Sequence, residues 1–404
     1  MPSFNNLNTP LNVVFMGTPE IASESLQNIL ELFKTNILDL KCIYTKSPVW
    51  DGKTKETIKS SVNITAGEAG IKVRTPETLK NNQDEIEFLK SLDLDLIVVV
   101  AFGLILPGDI LAIPKYGVLN LHPSLLPDLR GPSPVHYAIL KRVKYSGVSI
   151  MALDSGIDTG PVIAQNKISI GKDEYYETLY KNLSKAGGVL LAEVIKTIFR
   201  VKLNVFKYAY PQSSIKISNI TESKLINLTA QRLDFFRGGP LEIYSKIRAF
   251  RESGGAFFMF KGKIVKLLEA KILINGKEFN SEFNDNMNME DINKHADKKD
   301  GDINTKDGLD IYGGHSGYYD YIDYIENDEN GFEEIAGHTQ NSFELIPAAV
   351  PGMVILANKY GFVIKTAKKG VYLSLLRLKP EGKRLMEYKD FINGYRIKSG
   401  DILK

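Results

Sequence analysis

Asn120 and His122 are the pair in this sequence best placed to do chemistry together. They stand two residues apart in Gly117-Val118-Leu119-Asn120-Leu121-His122, a run that reads as a short buried strand. Side chains alternate faces along a strand, so Asn120 and His122 point one way and Leu119 and Leu121 the other. A carboxamide donates or accepts a hydrogen bond without changing charge, whereas an imidazole changes charge near neutral pH and can move protons. In open α/β sheets the C-terminal strand ends are where ligands bind. The chain then breaks, with Pro123, Pro127, Gly131, Pro132 and Pro134 within twelve residues, which predicts a rigid, helix-free loop. The same stretch also fits a β-turn with a satisfied core Asn and a capping His. Residues outside it must decide.

The surrounding elements are those of an α/β unit. Leu11 to Met16 reads as a first buried strand, Gly17-Thr18-Pro19-Glu20 as a turn, and a helix runs from there to about Phe33, with Pro19 suited to its first turn. A second strand spans Leu38 to Tyr44. One glycine in the first turn falls short of the three of the dinucleotide fingerprint, so an ordinary βα turn is expected. Thr45 to Glu56 is a long, polar, basic loop holding Trp50, the only tryptophan. Further on come helices near 65–70 and 76–91, a strand at 71–73, and Asp95 to Ala101, apolar enough for a strand covered on both faces. Beyond the Asn/His strand, 133–142 reads as helix and Val148 to Leu153 as strand. Asp154-Ser155-Gly156-Ile157-Asp158-Thr159-Gly160-Pro161 is then a loop whose glycines would let backbone approach a ligand, and Glu174 to Phe199 is helix.

Asn120-x-His122, then Ser124-Leu125-Leu126-Pro127, then Arg130-Gly131 and Asp158-Thr159-Gly160 together resemble the folate-dependent formyltransferases. The resemblance runs from near Val13 to the C-terminus, and the tail from Lys379 to Asp401 resembles the branch that formylates charged initiator tRNA. It implies a Rossmann-like catalytic domain with a mostly parallel sheet (11–209), a linker (210–220), and a small OB-like β-barrel (221–404) that binds tRNA. It implies 10-formyltetrahydrofolate as formyl donor, with Ser124, Leu125, Leu126 and Pro127 lining the folate and Phe102 to Pro107 facing it. For attack of an amine on a formyl carbon, Asn120 would donate to the oxyanion and His122 would donate to it or shuttle the proton. Asp158 would hold the imidazole's tautomer, strengthen its hold on a proton, or bind a relay water. Lys53 and Lys55 stand in the loop that approaches the tRNA acceptor end, and Trp50 either joins them or folds onto the core. Arg130 either orients its loop or is a surface residue. The alternatives are transfer to a small amine, hydrolysis of the formyl-folate, and a non-catalytic RNA-binding protein on this scaffold.

Composition narrows the classes further. A chain of 404 residues calls for two domains plus extras. No apolar run reaches the ~20 residues of a membrane span, and the polar, Asn-rich N-terminus lacks the pattern of a leader, so a cytoplasmic, monomeric protein is expected. Cys42 is the single cysteine, which excludes an intrachain disulfide, and its strand context reads as core. Of five histidines, His295, His315 and His338 lie in an acidic segment, leaving His122 and His136, of which His136 reads as structural. No His/Cys spacing suits a metal, and none is expected.

The net charge of +3 hides a split: residues 278–344 hold 18 Asp/Glu against 4 Lys, a net of −14, so the remainder carries +17. Residues 345–404 alone hold 12 basic and 4 acidic groups. Such a positive surface is an argument for a polyanionic partner, and the acidic stretch reads as a low-complexity insertion between two strands of the C-terminal domain.

Overall fold

The computed structural model describes residues 9–404 except 53, 203–206, 208, 216–219, 275–276 and 279–348. The acidic insertion expected at 278–344 and Lys53 thus lie outside the described residues, apart from Glu278 itself. The chain divides into two compact units. The first comprises 1–138, 144–170 and 177–225, and the second comprises 139–143, 171–176 and 226–404.

The first unit is built on a seven-stranded sheet. Its strands are β1 (Leu11–Gly17), β2 (Leu38–Tyr44), β5 (Val73–Arg74), β6 (Leu96–Val100), β7 (Val118–His122), β8 (Tyr145–Ala152) and β9 (Val162–Ser169). Between β2 and β5, β3 (Val49–Asp51) and β4 (Glu56–Ile58) form a separate antiparallel hairpin. The spatial order is β5-β2-β1-β6-β7-β8-β9. The first five strands are parallel and the last two antiparallel. This is the mostly parallel, Rossmann-like sheet expected.

Its helices are α1 (Glu20–Lys34), α2 (Ser61–Glu68), α3 (Gln83–Lys90), α4 (Gly108–Leu111), α5 (Pro134–Leu140) and α6 (Tyr176–Val201). Alternation along the strands sorts the core into two layers. Leu11, Val13 and Phe15 of β1 join Leu26 and Ile29 of α1, Val62 of α2 and Leu191 and Ile195 of α6. Val14 and Met16 join Ile86 and Leu89 of α3 and Ile110 of α4 on the other face. Each such side chain contributes about 1.5–3 kcal/mol by leaving water.

The structure departs from the sequence reading at weakly apolar elements. The 45–56 loop contains the β3–β4 hairpin, whose Val49, Trp50 and Ile58 are exposed at 69%, 63% and 55%, so Trp50 is not folded onto the core. Helix α3 starts at Gln83, not Pro76, because the Asn82 side chain caps it by accepting from the Glu85 amide at 3.3 Å. Helix α2 starts at Ser61, where Ser60 accepts from the Asn63 amide at 3.0 Å.

The second unit contains α7 (Leu228–Gln231), α8 (Pro240–Phe250), β10 (Ala256–Phe260), β11 (Lys263–Ile274), β12 (Lys277–Glu278), β13 (Val354–Asn358), β14 (Gly361–Lys365), β15 (Val371–Pro380), β16 (Met386–Glu387) and α9 (Tyr388–Tyr395). All its strand pairs are antiparallel, in the order β10-β11-β15-β14-β13, with β12 on β11 and β16 on β15. This is the small antiparallel barrel-type domain the tail implied. Phe391 of α9 stacks on Phe362 and Tyr395 at centroid distances of 5.9 and 4.6 Å, which ties the helix to the sheet.

Candidate active site

Strand β7 delivers Asn120 and His122 as its period-2 pattern requires. Leu119 and Leu121 enter the core layer with α1 and α6, which turns Asn120 and His122 to the opposite face. Both are buried, at 8% and 5% exposure. They lie at the C-terminal edge of the sheet, with the end of β6 alongside: Val99 pairs with Asn120 and Val100 with Leu121.

Two loops complete the cluster. His122 Nε2 is 3.0 Å from the Leu129 carbonyl. A carbonyl can only accept, so Nε2 carries the hydrogen, and this assigns the tautomer of the neutral ring. Nδ1 then faces Asp158 Oδ2 at 3.6 Å, longer than a hydrogen bond and an ion pair only once Nδ1 takes a proton. The same Asp158 oxygen accepts the Gly131 amide at 2.8 Å. Asn120 differs: among the described residues no group takes up its carboxamide, which stays reachable from solvent and open to another partner.

Leu129 and Asp158 adopt left-handed conformations, with φ of 58° and 52°. This costs a residue bearing a Cβ about 1–2 kcal/mol. Such strain persists where the surroundings over-determine the chain, and they do. Gly131, at φ 103°, lies so close to the Ser223 carbonyl that a Cβ would approach its oxygen to 2.3 Å. Gly160 is pressed onto β8, where a Cβ would meet the Ala152 oxygen at 1.7 Å. That close approach is to the protein's own backbone.

The Ser124-Leu125-Leu126-Pro127 segment runs beside the cluster with its side chains turned inward. All four residues are buried, and the Leu126–Pro127 bond is cis. Ser124 Oγ donates to the Asp128 carbonyl at 2.7 Å. Ser149 Oγ accepts the Leu126 amide at 3.1 Å and donates to the Ser124 carbonyl at 2.6 Å, and Gln165 Nε2 donates to the Leu126 carbonyl at 2.9 Å. The segment is therefore clamped from β8 and β9. On the far side, the Phe102 to Pro107 loop buries Phe102 and leaves Ile105 83% exposed.

The remaining candidates sort readily. Burial pushes His136 down to about 4, so it stays neutral where the protein functions. Burial pushes the Cys42 thiol up to about 12, which fits core filler. Lys55 is exposed at the tip of the β3–β4 hairpin. Among the described residues no His, Cys, Asp and Glu group could hold a metal, and no helix is long and apolar enough to cross a membrane. Arg130 is not free on the surface: its Nε donates to Gln212 Oε1 at 2.8 Å. Gln212 itself, 4% exposed, is a residue the sequence reading missed. It sits in a Ser-rich stretch with a linker's composition, and its partners are 52 to 82 positions away.

Comparison with known proteins agrees with this geometry. A "Formyl transferase" family model matches residues 11–195, and a "Formyl transferase, C-terminal domain" model matches residues 327–396. The methionyl-tRNA formyltransferase of Caldicellulosiruptor saccharolyticus is 31% identical over 397 residues, covering 97% of this chain and 100% of that protein. The methionyl-tRNA formyltransferase of Ehrlichia ruminantium is 36% identical over 260 residues, covering 64% of this chain and 80% of its own length. Among solved structures, HypX from Aquifex aeolicus in complex with tetrahydrofolic acid shares the fold at a TM-score of 0.51 and 13% identity, over 98% of this chain and 50% of that one. With both family domains matched and one relative aligned along its entire length, the chain belongs to the methionyl-tRNA formyltransferase family.

Proposed function

We propose that this chain transfers the formyl group of 10-formyltetrahydrofolate to the amino group of methionyl-tRNA, with Asn120, His122 and Asp158 as its catalytic residues. The observation that carries the reading is bonding capacity left unused at the end of β7: Asn120 is a buried residue whose carboxamide has no partner among the described residues and stays reachable from solvent, beside a His/Asp contact of 3.6 Å. An unpartnered polar group at the mouth of an otherwise buried cluster is open to a ligand.

The folate supplies an activated formyl carbon. As the amine attacks it, the carbonyl oxygen gains negative charge and the amine must lose a proton. Asn120 Nδ2–H donates to that oxygen, a role worth more in a buried site than in water. His122 has Nε2 committed to the Leu129 carbonyl, so Nδ1 is the nitrogen that exchanges a proton with the reacting groups. Asp158, fixed by the Gly131 amide, balances the charge when Nδ1 is protonated. The amine proton leaves toward this pair, and a proton returns to the departing folate nitrogen, so none is gained or lost overall.

The residues present suit a folate. Ser124, Leu125, Leu126 and Pro127 would hold it through backbone edges, because their side chains face inward, and the exposed apolar Ile105 loop offers a surface for a planar ring. Charged initiator tRNA would be met by Lys53, Lys55 and Trp50 at the hairpin and by the basic residues of 345–404, in a cytoplasmic monomer. The test is a formylation assay offering methionyl-tRNA, glycinamide ribonucleotide and an amino-sugar nucleotide in parallel. Formyl-methionyl-tRNA is the expected product. Transfer to a small amine, or formate released without an acceptor, would overturn the reading.

A further inference from the structure

We propose that Gln212 is a positioning residue for formyl transfer: its side-chain amide fixes the loop that carries Asp158 and so sets the carboxylate against His122. The inference rests on the catalytic reading of Asn120, His122 and Asp158 above and extends it into the stretch whose composition suggests a mere linker.

Gln212 uses both its side-chain N–H groups and one of its two acceptor positions within the site. Nε2 donates to the Asp158 carbonyl at 2.8 Å and to the Gly160 carbonyl at 2.7 Å, and Oε1 accepts from Arg130 Nε at 2.8 Å. The two carbonyls can only accept and the guanidinium can only donate, so the amide has one possible orientation. The carboxamide thus spans two loops. One is 128–131, which supplies the Leu129 carbonyl to His122 and the Gly131 amide to Asp158. The other is 158–160, which carries Asp158 in a left-handed conformation that needs outside support.

The backbone around Gln212 is anchored on both sides. Tyr210 and Val162 exchange two backbone hydrogen bonds of 2.7 and 2.8 Å, which fixes the entry. After it, the Leu129 amide donates to the Thr221 carbonyl at 2.7 Å and the Ser223 amide to the Arg130 carbonyl at 2.7 Å. The Asp128 carboxylate accepts the Thr221 amide at 2.8 Å, and Ser223 Oγ accepts the Ser133 amide at 3.1 Å. Residues 221–223 therefore lie along 128–131, joined by an isolated parallel bridge between Arg130 and Glu222, and Gln212 cross-links that assembly to the Asp158 loop. A methionine at 212 would keep length and volume and lose all three bonds.

The test compares wild type, Q212M, D158N and the double variant in single-turnover formylation of methionyl-tRNA across pH, with KM for both substrates. Q212M is expected to slow the chemical step about tenfold to a hundredfold, the scale of a small misplacement of a reacting group. Its KM values should stay within about threefold of wild type, and its pH profile should shift. In the D158N background, Q212M should cost less than about twofold, because residues acting as one unit are not additive. A wild-type rate and profile in Q212M, or the same fold loss with and without Asp158, would overturn the proposal. If Q212M does not fold, R130M serves: it removes the donor to Oε1, and its smaller loss must also vanish in D158N. Failure of the underlying catalytic reading would look different, as D158N itself formylating at full rate.

Discussion

Two buried polar clusters sit on the same sheet, and they are built to opposite ends. Tyr44 closes β2, Arg74 closes β5, and Glu85 reaches them from α3. The Glu85 carboxylate accepts from the Tyr44 hydroxyl at 2.5 Å and from Arg74 Nε and Nη2 at 2.8 and 2.7 Å. The guanidinium also lies 4.0 Å from the centroid of Phe88. Burial and the bond to Glu85 push the Tyr44 phenol well above its ordinary range. The polar groups of this network are spent on one another. At the end of β7, by contrast, Asn120 has no partner among the described residues and His122 meets Asp158 at ion-pair distance. Burial of polar groups does not by itself mark a site. What separates the two clusters is whether their bonding capacity is used up.

The comparison breaks first at Asn120. Asn120→Ala should lower the chemical step by roughly 10²–10³, the effect of removing one oxyanion donor, with little change in tRNA affinity or melting temperature. Stopped-flow formylation and a thermal melt check both halves. A large loss of stability with near-normal turnover would make Asn120 a packing residue like Tyr44.

Arg74→Met should do the reverse. It leaves Glu85, itself 8% exposed, without its cation. Removing one partner of a buried pair costs about 3–5 kcal/mol, and the quarter-exposed Arg74 side chain reduces that to about 2. A unit of this size would then melt about 4–8 °C lower, while turnover at 25 °C stays within about twofold. A slowed chemical step would show that the two clusters are coupled.

Acid sharpens the contrast. Burial raises the Glu85 carboxyl, but the bonds from Arg74 and Tyr44 outweigh it and hold the group below the usual carboxylate range. The folded value is thus lower than the unfolded one, so this stabilisation is complete above the unfolded value near 4.3 and is lost as pH falls through the folded value. His136 adds to the same slope. Its folded value of about 4 lies below the unfolded ~6.5, so its contribution falls away as pH drops between them. Urea titrations across acid pH should give a flatter stability curve for Glu85→Gln below the unfolded carboxylate value, and a flatter curve for His136→Gln only above pH ~4.

What could be read beforehand follows from how far each signal reaches along the chain. Strands β1 and β2 were legible because dense apolar runs with turn residues at both ends admit little else. Strand β9 was missed: Gln165, Asn166 and Lys167 are exposed on a sheet edge and break the apolar pattern. Asn120 and His122 were legible because period-2 alternation places them and the nearby motif identifies them. Gln212 was not, because a glutamine among serines carries no local signal and its meaning lies in carbonyls more than 50 residues away. The strained Leu129 was invisible for the same reason, since its φ is imposed by 221–223 and not by its own neighbours.

The smallest expected effect concerns a third kind of surface, polar and fully exposed. The β3–β4 hairpin shows Trp50 and Lys55 to solvent with no packing role that would explain a tryptophan there. An exposed aromatic beside cations suits a nucleic acid, where rings stack on bases and ammonium groups displace counterions from phosphates. Replacing Lys53 and Lys55 with Gln should leave the fold, the folate KM and the chemical step unchanged. The slope of log affinity against log salt for methionyl-tRNA should fall by roughly one for each phosphate no longer neutralised, so by about two if both lysines reach the backbone. Trp50→Ala should weaken binding by a salt-independent factor instead, because stacking releases no ions. A parental slope in the double lysine variant would remove this hairpin from the RNA interface and leave the basic residues of 345–404 to carry the charge alone.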